Sequence, residues 1–421
     1  MYQKTVLDNG VRVVSSSMKD VQSLAMGIWI NTGSRNESLE YSGISHYLEH
    51  LVFKGTKKYS CQKIKESIEG VGGSFNGFTS EEATCYLIKL PAKYFDLALD
   101  ILSDMVLSPT LPEGEINKER TVILEEIKMY KDLPQSYVYE LLDELLWPQQ
   151  PLGRSILGSA ESVQRINRKD LDGYRKRYYT ASNIVISAAG LVNHSRLSAK
   201  VKKRFSALDK NSRNNFVPVY VQQNGPNSKI FHKETEQTHF VVGFHGLPRE
   251  HRLKYALGLL NVILGGNSSS RLFDEIREKR GLAYEIGTGV KRLKDTGAFL
   301  VHAGVDNNKV VEALKLIFGQ LLRVKTERVA NAEFKRAKEF FLGQLMLALE
   351  DTMDQMFWIG ESTLSLDKIY SLKQVIQEVN KVSTKDIKEA ANLIFNKNDL
   401  NLAAIGPLKN SEEQIKKELN F

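Results

Sequence analysis

At 421 residues the chain is too long for one ordinary core and comfortable for two domains. A hydrophobic share of 42% beside 26% charged residues describes a globular protein and excludes a disordered or fibrous one. The net charge is +8, but the lysines are scattered among acids, as in Lys63-Ile64-Lys65-Glu66 and Lys385-Asp386-Ile387-Lys388-Glu389, which reads as a solvated surface and not as a nucleic-acid stripe.

The chain opens on Met1-Tyr2-Gln3-Lys4-Thr5 and passes at once into a strand-like Val11-Arg12-Val13-Val14, with no charged-then-apolar export signal before it. No apolar run approaches the roughly 18 residues that a membrane span needs. Cys61 and Cys85 are the two cysteines, expected as reduced thiols of a cytoplasmic protein. A second strand, Leu24 to Trp29, leads into a loop over Asn31-Thr32-Gly33-Ser34-Arg35-Asn36-Glu37. Ser42-Gly43-Ile44-Ser45 then opens a helix carrying His46, Leu48, His50 and Leu51.

Positions i and i+4 of a helix stand one above the other, so His46 and His50 point to one side. Two imidazoles so placed can hold one Zn²⁺ through nitrogen at roughly 2.0–2.1 Å. Glu49 lies about 100° around the helix from His50 and can reach a metal-bound water without being a ligand. The order His-x-x-Glu-His is the inverse of the commoner zinc-peptidase motif.

A catalytic zinc wants a third protein ligand. Downstream, Phe95, Ala98, Leu99, Leu102 and Val106 form a helical apolar stripe, followed by an acidic helix expected from about Glu115 to Tyr130. Glu119, Val122, Ile123 and Glu126 share one face of it by spacing. Carboxylates there are costly to bury unless paired or metal-bound. Glu126 is the expected third ligand and Glu125 is expected in solvent. Glu119 is expected to orient a ligand or water, with a plain helix-start carboxylate beside the macrodipole as the other reading.

The chain is also written twice. Leu24-Ala25-Met26-Gly27-Ile28-Trp29 resembles Phe240-Val241-Val242-Gly243-Phe244, and Asn183 to Gly190 matches Asp399 to Gly406 at the same offset. The stripe of Val310, Leu314, Ile317 and Leu321, again before a charged helix, repeats the one that starts at Phe95. The expectation is an α+β protein of two homologous domains, each a mixed, mostly antiparallel sheet with helices packed on one face. Domain boundaries fall at 1–210 for the zinc-binding copy, 211–228 for a polar linker and 229–421 for the degenerate copy. That second copy has no His-x-x-Glu-His spacing, and Gln344 stands where the first has Glu126.

These residues resemble the inverzincin peptidases of the pitrilysin and insulin-degrading enzyme family, above all its half-length members akin to mitochondrial processing peptidase subunits. The likeness covers nearly the whole chain and rests on Gly43 to His50, Phe53-Lys54-Gly55-Thr56, Gly72 to Thr79, Glu119 to Glu126 and Pro151 to Gly158. It implies one zinc per chain on His46, His50 and Glu126, with Glu49 as general base. It also implies an edge strand that holds an extended peptide substrate through Asn76, Gly77 and Phe78. The family's Asn-Ala reads Asn76-Gly77 here, for which a simple hairpin turn is the alternative reading. In the second half Arg277 and Tyr284 match a family pair that approaches the scissile carbonyl.

Larger members hold four such units, so the resemblance implies a dimer: a homodimer, or a heterodimer with a related subunit. Two other readings remain at this level. One is a non-catalytic core subunit of the same fold, against which the intact His46, Glu49, His50 and Glu126 argue. The other is a basic nucleic-acid-binding protein, which a salt-dependent shift on nucleic acid without bound metal would favour.

Overall fold

The computed structural model describes residues 2–210 and 216–419. In the first half the strands are β1 Tyr2–Val6, β2 Arg12–Ser17, β3 Ser23–Ile30, β4 Ser74–Thr79, β5 Thr84–Pro91 and β6 Ile184–Gly190. Its helices are α1 Ile44–Val52, α2 Cys61–Glu69, α3 Phe95–Leu107, α4 Glu113–Asp132, α5 Pro134–Leu146, α6 Ala160–Arg165, α7 Arg168–Tyr178 and α8 His194–Phe205. The second half contributes β7 Asn227–His232, β8 Gln237–Gly246, β9 Ala283–Arg292, β10 Gly297–Asp306 and β11 Leu400–Gly406. Its helices are α9 Lys254–Leu264, α10 Val310–Thr326, α11 Asn331–Ala348, α12 Thr352–Leu366, α13 Leu372–Lys381, α14 Thr384–Ile394 and α15 Glu412–Glu418.

The first sheet runs β1-β2-β6-β3-β5-β4 and the second β7-β11-β8-β10-β9. Each has one parallel pair, β2 with β6 and β7 with β11, and is otherwise antiparallel. The repeat is visible in this order, since β2, β6, β3, β5 and β4 have their counterparts in β7, β11, β8, β10 and β9. The protein is an α+β fold of two sheets with helices, as the sequence leads one to expect.

By its contacts the chain forms two compact units, and their limits differ from the expected boundaries. One comprises Met1–Ile127, Ser155–Val217 and Met346–Leu372; the other comprises Lys128–Arg154, Pro218–Leu345 and Lys373–Phe421. The difference is a reciprocal exchange of helices. In the first unit α12, from the second half of the sequence, lays Met356, Ile359 and Leu364 on Val14, Ala25, Trp29, Cys85 and Val185. In the second unit α5, from the first half, lays Val138, Leu141 and Leu142 on Val241, Leu300, Ala403 and Ile405. The halves' own pairing of sheets is kept, but each sheet buries an apolar face only under a helix that the other half encodes. Residues 211–215 of the expected linker lie outside the described residues. The remainder of that linker is anchored: the Arg35 guanidinium stacks 4.1 Å from the Phe216 ring, and Tyr220 exchanges two backbone hydrogen bonds with the Gln150 amide.

The exchange explains the glycines that reveal the repeat. A Cβ on Gly27 would stand 2.7 Å from Met356 Sδ on α12, and one on Gly243 would stand 2.8 Å from both Leu142 methyls on α5. Each central strand is bare where the exchanged helix crosses. On the helix side, Gly360 lets Trp29 lie flat, with its Nε1 donating to Ser187 Oγ at 2.8 Å. A Cβ on Gly360 would meet that nitrogen at 2.2 Å. Glycine inside a helix costs about 1 kcal/mol against alanine, so packing must outweigh propensity here. Gly360→Ala is therefore expected to destabilise by about 1–3 kcal/mol through overpacking. Gly343→Ala on α11, where a Cβ meets nothing within 4 Å, serves as the control and should be neutral or stabilising. Equal thermal melts for the two variants would contradict the exchange as the reason for Gly360. A fragment ending at residue 217 is likewise expected to lack a cooperative melt, and to regain one when residues 218–421 are co-expressed with it.

Candidate metal centre

The motif helix α1 starts where the sequence signals it. Gly43 occupies the left-handed region at φ 90°, and the Glu37 carboxylate accepts from the Gly43 and Ser45 amides at 2.7 and 2.8 Å. Those are donors that the first turn of a helix leaves without intrahelical partners. Gly158, at φ 80°, packs back to back with Gly43, and a Cβ on either would collide with the other's strand of backbone. Ser162 Oγ donates to Ser42 O at 2.7 Å. The Pro151 to Gly158 motif thus ends by clamping the start of the histidine helix.

Helix α4 spans Glu113–Asp132, slightly longer than expected, and buries Ile116, Glu119, Ile123 and Ile127. Val122, placed on this face by spacing, is 49% exposed instead. The buried stripe drifts by one turn position, tracking Ile116 and Ile127 rather than Val122. Glu125 is exposed, as expected. The Tyr47 hydroxyl donates to Ile116 O at 2.5 Å and ties α1 to α4.

Across this junction His46, His50 and Glu126 each offer one ligand atom, all within 4.8 Å of one another. Glu126 Oε2 stands 3.7 Å from His46 Nε2 and 3.8 Å from His50 Nε2. Burial, helped by neighbouring His50, pushes His46 down to about 3, so its ring is neutral and its nitrogen lone pair is free to bind. His46 Nδ1 is buried without a hydrogen-bond partner. His50 is oriented from behind: its Nδ1 lies 3.0 Å from Glu119 Oε2. An ionised carboxylate only accepts, so Nδ1 carries the proton and Nε2 turns its lone pair toward Glu126. Glu119, 5% exposed, is held in turn by Lys54 Nζ at 2.6 Å. A plain helix-start carboxylate would have neither partner. Two imidazole nitrogens and one carboxylate oxygen form a donor set that fits zinc with a position left for water. Among the described residues this is the sole such cluster.

Glu49 sits beside the cluster, 8% exposed. Burial pushes its carboxyl up to about 7, while His50 opposes and Glu126 reinforces the shift. No hydrogen bond from the described residues commits it. Burial also raises Glu126 above the usual carboxylate range, with His50 opposing.

Asn76, Gly77 and Phe78 lie inside β4, the edge strand, with Asn76 opposite Leu87 and Gly77 opposite Tyr86. The hairpin-turn reading of Asn76-Gly77 is therefore wrong; the turn falls at Ser80–Ala83, where Ser80 N donates to Ala83 O at 2.8 Å. Alternation along the strand separates the three side chains. Gly77 faces α1, whereas Phe78 turns to the opposite face and packs edge-on against Trp29 and Phe357, with centroids 5.7 and 5.9 Å away. The phenyl ring of Phe78 is thus part of the core under α12.

Arg277 and Tyr284 belong to the second unit. Arg277 rides a π-helical turn, Phe273–Glu278, with its guanidinium 4.8 Å from the Phe273 ring and 5.5 Å from the Tyr284 ring. Tyr284 is 75% exposed at the start of β9. Sequence reasoning gave no role to Lys54, although its spacing of four from His50 is the signal that could have found it. No helix among the described residues is long and apolar enough to cross a membrane. Both cysteines are unbridged.

Comparison with known proteins agrees with this architecture. Residues 12–160 match the family described as insulinase (peptidase family M16), and residues 165–341 match the peptidase M16 inactive domain. The chain is 37% identical over 417 residues to the uncharacterized zinc protease YmxG of Bacillus subtilis, covering 97% of this chain and 99% of that one. An uncharacterized zinc protease of Rickettsia felis is 34% identical over 404 residues, covering 95% and 96%. Among solved structures, a protease from Helicobacter pylori superposes with a TM-score of 0.91 at 26% identity, covering 97% of this chain and all of that one. With both halves matched and relatives of equal length, the chain belongs to the M16 insulinase family as a half-length, inverzincin-type member.

Proposed function

We propose that the protein is a zinc-dependent endopeptidase that cleaves extended peptides or unfolded segments. The observation that carries this reading is the convergence of His46, His50 and Glu126, with Glu119 steering His50 and Glu49 left uncommitted beside them. The relatives named zinc proteases support it. One zinc per chain, when bound, supplies Lewis acidity that lowers the pKa of water and polarises a carbonyl. The chain's own groups do the rest. Glu49 takes a proton from the attacking water and passes it to the leaving amide nitrogen. Glu119 keeps His50 in one tautomer, and Lys54 keeps Glu119 in place. The open edge of β4, at Asn76, Gly77 and Phe78, pairs with substrate backbone as an added strand, which selects extended segments over folded ones.

Arg277 and Tyr284 are assigned to the developing oxyanion or the adjacent substrate backbone. The likeness to half-length processing-peptidase subunits supports a dimer. A homodimer could complete each site in trans, because one chain carries both the zinc motif and the Arg/Tyr pair.

Zinc analysis and peptide assays separate these roles. His46→Ala, His50→Ala and Glu126→Ala are expected to lose zinc and cleavage together. Glu49→Gln should keep a full zinc complement while cleavage falls by about 10²–10⁴-fold. Glu119→Gln should weaken zinc binding by about 10–100-fold. A Glu49→Gln protein as active as the parent, or zinc retained without His46 and His50, would overturn the reading. For assembly, an inactive Glu49→Gln protein is mixed with an inactive Arg277→Ala protein. Recovered activity is expected, and its absence rules out completion in trans.

A further inference from the structure

Arg277 and Tyr284 are each displayed by a one-residue irregularity in an otherwise regular element. Arg277 lies on the π-helical turn Phe273–Glu278, where Lys279 N donates to Asp274 O, five residues back, at 2.9 Å. Its own carbonyl accepts from the amide of Gly281, a residue at φ 58°. Tyr284 is the extra residue of a β-bulge: Val305 stands opposite Ala283 and Gly304 opposite Glu285, so Tyr284 has no partner on β10. Insertions of both kinds are found where a side chain has to be re-aimed. Together they leave the Arg277 guanidinium among rings and not among carboxylates. Asp274 and Glu275 of the same turn take the Lys279 ammonium, and Glu275 also takes Arg280. Among the described residues no carboxylate forms an ion pair with Arg277. Its neighbours are the Phe273 ring at 4.8 Å and the Tyr284 ring at 5.5 Å. Tyr284 is so exposed that little protein holds its ring. Phe273 is half-buried, on a turn anchored by the fully buried Leu272 and Ile276. Of the two rings, Phe273 is the fixed one.

We infer that Phe273 is a positioning residue for Arg277: its ring gives the guanidinium a fixed face to stack on, and the N–H fork in the guanidinium plane stays open for a carbonyl or an oxyanion. This rests on the assignment of Arg277 to substrate made above and adds the group that aims it. The π-turn brings ring and guanidinium together, and the neighbouring ion pairs keep the acids of that turn away from the fork. An aliphatic side chain of similar bulk would fill the same space but offer no π face. A purely structural role for Phe273 therefore predicts a different order of variants.

Phe273→Leu, Phe273→Met and Phe273→Tyr separate the two. One ring contact to a partly exposed cation is worth a factor of about 2–5 in population. A catalytic group out of place by about 1 Å can cost on the order of 10²-fold in rate. Between these limits, kcat/KM for an extended peptide is expected to fall about 10-fold with Phe273→Leu and with Phe273→Met. With Phe273→Tyr, which keeps the ring, it stays within about twofold of the parent. Zinc content is that of the parent in all three. In crystals the Arg277 guanidinium keeps its place with Phe273→Tyr and is spread over several positions with Phe273→Leu. Full activity with Phe273→Leu, a loss with Phe273→Tyr as large as with Phe273→Leu, or a guanidinium unmoved in the Phe273→Leu crystal overturns the inference. The crystals decide it even if the parent cleaves no peptide, whereas unchanged cleavage with Arg277→Ala counts against the substrate assignment of Arg277 and not against its seat.

Discussion

The candidate metal centre depends on how α4 lies across α1. His46 and His50 are fixed to each other by helix geometry, four residues apart, but a third ligand must come from elsewhere in the chain. Tyr47 donating to Ile116 O and the buried contact of Glu119 with His50 set the register of the two helices. With Glu119 placed on His50 Nδ1, Glu126 falls two turns further along α4 and opposite both Nε2 atoms. Lys54, just beyond the end of α1, closes the arrangement by pairing with Glu119. A buried carboxylate next to imidazole would be costly alone, and Glu119 has in His50 and Lys54 the partners that justify its burial.

The same economy of position appears at the level of the fold. A duplicated α+β unit leaves each sheet with an apolar face that its own helices do not cover. The chain solves this by exchange: α12 covers the first sheet and α5 the second. Gly27 and Gly243, equivalent in the repeat, are the points of close approach. The duplication has diverged in chemistry while keeping its packing. Only the first copy carries the ligand cluster among the described residues, and the second retains Arg277 stacked between Phe273 and Tyr284.

Much of this was legible in the sequence because it is local and periodic. The His-x-x-Glu-His spacing, the cap at Gly43 and the glycine-marked repeat each come from short-range rules. Spacing also assigned Glu126 and Glu119 to one side of α4, although it misplaced Val122, because an ideal period cannot anticipate where a stripe drifts toward its partners. Asn76-Gly77 carries a strong turn signal, yet pairing with Tyr86 and Leu87 draws it into a strand, a case of tertiary contacts overriding local propensity. The exchange of α5 and α12 was invisible for a different reason. Both helices are ordinary amphipathic segments, and nothing in their own residues says which sheet they will cover. Phe78 turns toward Trp29 by strand alternation, and Phe357 of α12, which meets it there, was equally hidden.

The account stands or falls on which atoms hold the metal. Diffraction from zinc-loaded crystals, measured at the zinc absorption edge, tests this directly. The account predicts one anomalous peak per chain, at about 2.0–2.1 Å from His46 Nε2 and from His50 Nε2 and bonded to Glu126, with Glu49 beyond bonding distance. A peak elsewhere in the molecule, or a zinc held by Glu49 in place of Glu126, would contradict it.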